Sequence, residues 1–361
     1  MTLNLCPPEV CSQIFAIACT DGGYTGRALS AVSRYIHRTS SSYKFQSIAL
    51  HNAHQTSSFA SVLSRTPPHL CGVVYLFVSN DDFAIVSRDR EPTATSGRRR
   101  ISSIFSFATN QTKLSSTSAN LIKDHDTDFI EAVLAILRII APTLRTLFIS
   151  FECHWINWPS LVSVGTRFLA LSSLTELSFN YRAPTDALFN HYMHLFPATL
   201  PSLRRLDISG LKLLSYHSHL FGSIAKIAPS LTHLHLPAKM AMNVPCASTI
   251  WPPVYHTPED ENLPLTLNRV LIQLNGPHIY ACQSPESGCT RCRLLAVGTT
   301  DRRFVALEAR SDDTWKKNRE RLEGEWRNRI SGGEGGWDET TAVDDWINRR
   351  DIIFHLGDLV S

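Results

Sequence analysis

Leu203-Arg-Arg-Leu206-Asp-Ile208 sets an apolar residue, two variable residues, a second apolar residue, one variable residue and a third apolar residue in a row. The same pattern occurs in Val73-Val-Tyr-Leu76-Phe-Val78, Leu144-Arg-Thr-Leu147-Phe-Ile149, Leu174-Thr-Glu-Leu177-Ser-Phe179, Leu231-Thr-His-Leu234-His-Leu236, Leu267-Asn-Arg-Val270-Leu-Ile272 and Phe304-Val-Ala-Leu307-Glu-Ala309. The four units from Leu144 to Leu231 start 30, 29 and 28 residues apart, and the next two gaps are 36 and 37. A repeat at that spacing predicts an α/β solenoid, with short parallel strands alternating with helices and neighbouring units burying a shared core. Pro142, Pro201 and Pro229 each stand two residues before a repeat leucine. Helical stretches precede two of these strands, at 188–196 and 220–227. The unit is therefore helix, proline turn, strand, as an irregular leucine-rich repeat requires.

Side chains alternate across a strand, so Leu206 and Ile208 point to the core and Arg205, Asp207 and Ser209 to the other face. By the same count Glu176, Ser178, Asn180, His233, His235, Arg269, Gln273, Glu308 and Arg310 line that face. We expect it to be a solvated, concave recognition surface. Its mixture of both charges with His and Asn suits a folded protein substrate better than a phosphate backbone.

Outside the repeats the composition shifts. Residues 1–50 predict a small helical bundle. Pro8 opens a first helix with Val10, Ile14 and Ile17 at helical spacing, Gly22-Gly23 breaks it, and Thr25 can cap a second helix with the stripe Leu29, Val32 and Ile36. Residues 45–50 alternate as a strand does, and 55–65 read as a helix. The repeat region is assigned to 51–310. Within it, 80–125 are polar enough to predict a mostly disordered insertion, after which Asp128 and Glu131 start a helix that Pro142 closes. Residues 311–361 are charged and contain Trp315, Trp326, Trp337 and Trp346, which predicts a cap on the open end of the solenoid.

The ordered residues Leu5-Cys-Pro-Pro-Glu-Val10, Ile14-Phe15 and Ala28-Leu-Ser-Ala-Val-Ser-Arg34 with Tyr35-Ile36 resemble an F-box. With the repeats, the chain is similar to the F-box-like proteins of mushroom-forming (basidiomycete) fungi. The resemblance implies a non-catalytic substrate-recognition adaptor of an SCF-type ubiquitin ligase. Its partners would be a Skp-type adaptor, the cullin ligase core and a protein substrate held by the repeats. Carried over by position, Cys6, Pro7, Pro8, Glu9, Val10, Ile14 and Phe15 would form one adaptor-facing segment, and Leu29, Val32, Ser33 and Tyr35 a second. Cys6 stands where the family usually has Leu, and the spacer Thr20-Asp-Gly-Gly-Tyr24 is longer than in typical members. Without the resemblance, the same residues read as a helical cap over the first repeat, and the chain as a leucine-rich interaction scaffold with no ligase association.

Other chemistry is weakly signalled. His278, Cys282, Cys289 and Cys292 could supply four zinc ligands, but the six-residue gap is unusual and free thiols in a loop account for them, so no metal is assigned. Arg98-Arg-Arg-Ile-Ser102 resembles a basophilic kinase site and could aid nuclear import, but a solvated charged loop is the reading adopted. No motif of a hydrolase, zincin, phosphate-binding loop or dinucleotide fold is present, so neither an enzyme nor a cofactor is expected. A net charge of +3 argues for no nucleic-acid partner. Nine irregularly spaced cysteines, an N-terminus unlike a signal peptide and the lack of a spanning apolar run predict a reduced intracellular protein of cytoplasm or nucleus.

Overall fold

A computed structural model describes residues 6–80, 116–152, 170–182, 199–209, 220–237, 264, 266–273, 303–307 and 315–337. The backbone begins with three short helices, α1 (Pro8–Ala18), α2 (Tyr24–Leu29) and α3 (Arg34–Ser40). Pro8 lies in the first turn of α1, where its missing N–H costs nothing. Gly22 and Gly23 have φ of 77° and 91°, a left-handed geometry that stops α1 and turns the chain into α2. The N-cap of α2 is Gly23 rather than Thr25, which lies inside the helix and is held by Asp21. The Asp21 carboxylate accepts from the Thr25 amide at 2.8 Å and the Thr25 hydroxyl at 2.6 Å. The expected second helix is two helices. Ser33 is extended, accepts from the Ile36 amide at 3.2 Å, and starts α3 as its N-cap.

The chain then enters β1 (Ser47–Leu50) and α4 (Ala53–Arg65). Asn52 caps α4 through the Gln55 amide, while the Gln55 side chain accepts from the His51 amide at 2.9 Å. After β2 (Tyr75–Asn80), helix α5 covers Ser116–Ile140. It starts twelve residues before the Asp128 start expected from the sequence, so 116–125 are helical rather than part of a disordered insertion. The remainder of that insertion, including Arg98–Ser102, lies outside the described residues.

Strands β3 (Thr146–Glu152), β4 (Glu176–Arg182) and β5 (Arg205–Asp207) follow, then α6 (Leu220–Ile227), β6 (His233–Pro237), β7 (Arg269–Gln273), β8 (Phe304–Leu307) and α7 (Trp315–Ile330). Among the described residues the strands form one open, all-parallel sheet in the order β1 to β8. From β2 to β7 the register puts each motif's second apolar residue in one row, but in β8 it is the first, Phe304, that joins the row, so Leu307 turns to the opposite face and not to the core as the motif predicted. Ile48, Leu76, Leu147, Leu177, Leu206, Leu234, Val270 and Phe304 are successive partners. This row, the first motif residues and the inward faces of α4, α5 and α6 make one continuous core. Each buried leucine in it is worth about 2 kcal/mol or more.

Candidate protein-interaction surfaces

The first surface is on the helical bundle. Cys11, Phe15 and Ile36 are its buried centre, and Cys6, Leu29, Tyr35 and Tyr43 pack around them. The stripe Val10, Ile14 and Ile17 points away from that centre, and Ile17 is 77% exposed. Val32, in the break between α2 and α3, is 63% exposed. Pro7, Pro8 and Glu9 are exposed beside them.

The eleven residues singled out in the bundle thus divide. Pro7, Pro8, Glu9, Val10, Ile14 and Val32 present atoms outward, whereas Phe15, Leu29 and Tyr35 hold the bundle together. Ser33 is exposed but its hydroxyl is committed to the α3 cap. Cys6 is half-buried and tied inward, its carbonyl accepting from the Tyr35 hydroxyl at 2.8 Å. Burial raises the Cys6 thiol and the Tyr35 phenol, and the neighbouring Cys11 adds to both shifts. The bundle is anchored to β1 by polar contacts. The Ser47 hydroxyl donates to the Cys19 carbonyl at 2.8 Å and accepts from the Gly22 amide at 3.1 Å.

The second surface is the sheet face turned away from α4, α5 and α6. The alternation read from sequence holds from β4 to β7 and is reversed in β8, where Val305 and Leu307 take this face, and the face is not a solvated one. Glu176, Ser178, Asn180, Asp207, His235 and Gln273 are buried, and Arg205, Ser209, His233 and Arg269 are half-buried. Glu308 and Arg310 lie outside the described residues. The reason is α7 and the turn after it, which lie on this face instead of capping the end of the sheet. Leu322, Trp326 and Ile330 of α7 pack on Phe77 and Phe148, with Ala49 and Tyr75 beside them. Trp337 packs on Leu271, Val305 and Leu307 at the other end of the sheet.

Between these apolar seats the face is polar. Glu176, 2% exposed, accepts from Arg329 Nε at 2.9 Å and from Trp337 Nε1 at 2.8 Å. The Trp337 ring meets His233 and His235 edge-on at 5.9 and 6.0 Å, and the Arg205 guanidinium lies 5.9 Å from it. Arg205 also pairs with Glu334 at 3.0 Å. Asp207 accepts from the Ser178 hydroxyl at 3.0 Å and the Ser209 amide at 2.9 Å, with His235 Nδ1 3.3 Å away. This trio is not a nucleophile relay, because the serine proton goes to the carboxylate and not to the imidazole.

Among the described residues no cluster of three or more His, Cys, Asp or Glu could hold a metal, and no helix is long and apolar enough to cross a membrane. His278, Cys282, Cys289 and Cys292 lie outside the described residues.

The sequence reading missed Phe77, Phe148, Leu271 and Val305 as members of the second face. Their signal was available: Leu147-Phe148-Ile149, Val270-Leu271-Ile272 and Phe304-Val305-Ala306 are unbroken apolar runs, the mark of a strand covered on both sides. Compared with known proteins, the chain matches no family model, no curated sequence and no solved structure.

Proposed function

We propose that this chain is a non-catalytic recognition subunit of an SCF-type ubiquitin ligase, built as an irregular leucine-rich-repeat solenoid whose N-terminal bundle docks a Skp-type adaptor. The observation that carries this reading is the outward apolar stripe of α1. Val10, Ile14 and Ile17 are exposed although Phe15 and Cys11, on the opposite side of the same helix, already complete the bundle's core. Exposed apolar side chains on short helices, set beside Pro7, Pro8 and Val32, suit a partner that buries a few dominant anchors. The adaptor as occupant comes from the F-box resemblance of those same residues. The cullin core would be reached through it.

The reading assigns substrate capture to the repeats. Their sheet face is covered by residues of α7 and the turn after it, so capture there requires that segment to leave.

The test is co-purification of the full chain with a recombinant Skp-type adaptor. Wild type is expected to bind, and Ile14→Asp to lose binding at least tenfold, with circular dichroism unchanged because Ile14 is 45% exposed and outside the bundle's core. Cys6→Leu is expected to strengthen the bundle's packing more than the contact itself, since Cys6 packs on the bundle's own core. A well-folded wild type that fails to bind removes the ligase reading and leaves the leucine-rich scaffold.

A further inference from the structure

We infer that the sheet face opposite the helices is a peptide-recognition groove which the chain holds shut with its own residues 315–337. The partner it fits in trans is a segment bearing a tryptophan and an arginine that both deliver N–H donors to Glu176.

The groove has built seats. Glu176 lies mid-sheet with both carboxylate oxygens used, one by a guanidinium and one by an indole N–H, and both donors come from the C-terminal segment. His233, His235 and Arg205 surround the indole ring. Phe77 and Phe148 form an aromatic seat at the early strands, filled by Trp326. A buried carboxylate whose register partner Arg205 pairs with Glu334, and which takes its own donors from the C-terminal segment between two apolar seats, reads a specific ligand rather than any apolar surface.

The occupant is attached in a way that allows it to leave. The strands bond their amides to one another. The segment is held to the sheet by side-chain pairs that include Arg329 and Trp337 to Glu176, Glu334 to Arg205, and Glu323 to His51. Departure therefore leaves the ladder intact. Helix α7 also carries its own support, since Arg321 pairs with Glu325, and Arg327 with Glu323, at helical i, i+4 spacing. Its fit is imperfect as well. Trp326 is fully buried, yet its indole N–H finds no acceptor among the described residues, a cost that a better ligand avoids.

The experiment uses a fluorescein-labelled peptide of residues 315–337 as probe against three full-length proteins: wild type, Trp326→Ala with Trp337→Ala, and that double variant with Glu176→Lys added. Weakening the internal occupant should raise peptide affinity at least tenfold over wild type, and Glu176→Lys should abolish the gain. Equal affinity in wild type and double variant overturns the inference, and so does loss of the fold in the double variant, which would make the segment an obligatory layer. Hydrogen exchange on the wild-type chain gives a second reading. Amides of 322–330 should exchange faster than those of 177–180 and respond separately to low denaturant, whereas a single joint transition overturns the proposal. Neither measurement uses the adaptor, so failure here is distinguishable from failure of the ligase reading.

Discussion

Gly26 shows how a single hydrogen atom can set a helix position. A Cβ added there would run into the carbonyl of Lys44, which is backbone and cannot swing aside. Gly26→Ala should therefore destabilise the chain by about 1–3 kcal/mol, the usual cost of overpacking, measured by urea unfolding. Gly324 in α7 is the control. Nothing lies within 4 Å of the atom that alanine would add, so Gly324→Ala should be neutral or stabilise by up to about 1 kcal/mol through helix propensity. Cys19 gives a second residue-level expectation. Burial, helped by Asp21, pushes its thiol up to about 11. A raised pKa means the fold favours the neutral thiol, so this contribution is whole below the ordinary thiol pKa of about 9 and lost as pH climbs towards 11. At pH 8 about one Cys19 in a thousand is thiolate, so alkylation by iodoacetamide should be at least tenfold slower than in the unfolded chain. Mass spectrometry of the labelled peptides checks this. The Gly22-Gly23 break was legible from sequence because positive φ has a compositional signature. The role of Gly26 was not, because it depends on a neighbour that only the packing of α2 brings close.

At the scale of elements, α7 and β4 share a buried ion pair whose energetics can be separated by mutation. Removing Arg329 alone leaves the Glu176 carboxylate buried with only the Trp337 N–H against it. Arg329→Met should cost roughly 3 kcal/mol. Adding Glu176→Gln should recover most of that, because an amide oxygen still accepts from the indole and no longer needs a cation. A thermal-melt double-mutant cycle measures the recovery, and two additive losses would show that the charge is not what binds the pair. Elements were the most legible scale of this chain. The spaced leucines located the strands because their period reports directly on which side chains share a core. Helix α1 was only half legible. Its sequence carries two apolar stripes, Val10-Ile14-Ile17 and Cys11-Phe15, and periodicity alone does not say which one turns inward. The position of α7 was illegible for a different reason. Three apolar residues in a charged helix mark a buried side but not the surface that receives it.

Across the whole molecule, one core runs from β1 to β8 along the helical side, while the opposite face has separate smaller clusters at its two ends. Damage to the shared core should therefore spread. Leu206→Ala, in the central strand row, is expected to cost about 2–5 kcal/mol and to lower the melting temperature of the whole helix-side core, β1 to β8, together. A parallel sheet with its strands in sequence order also has two ends, and a bare strand edge is a template for a further strand. At the β1 end the chain blocks that template with its own backbone: the Gly22 carbonyl takes the Ala49 amide at 3.4 Å, and the Gly22 amide is held by Ser47. The helical bundle is thus a stopper as well as the proposed docking surface. Without it, β1 of one copy could receive β8 of the next with the same parallel register that the sheet uses internally. Such a head-to-tail contact is heterologous, so its product grows past a dimer, into a ring or a fibre according to the rotation between copies.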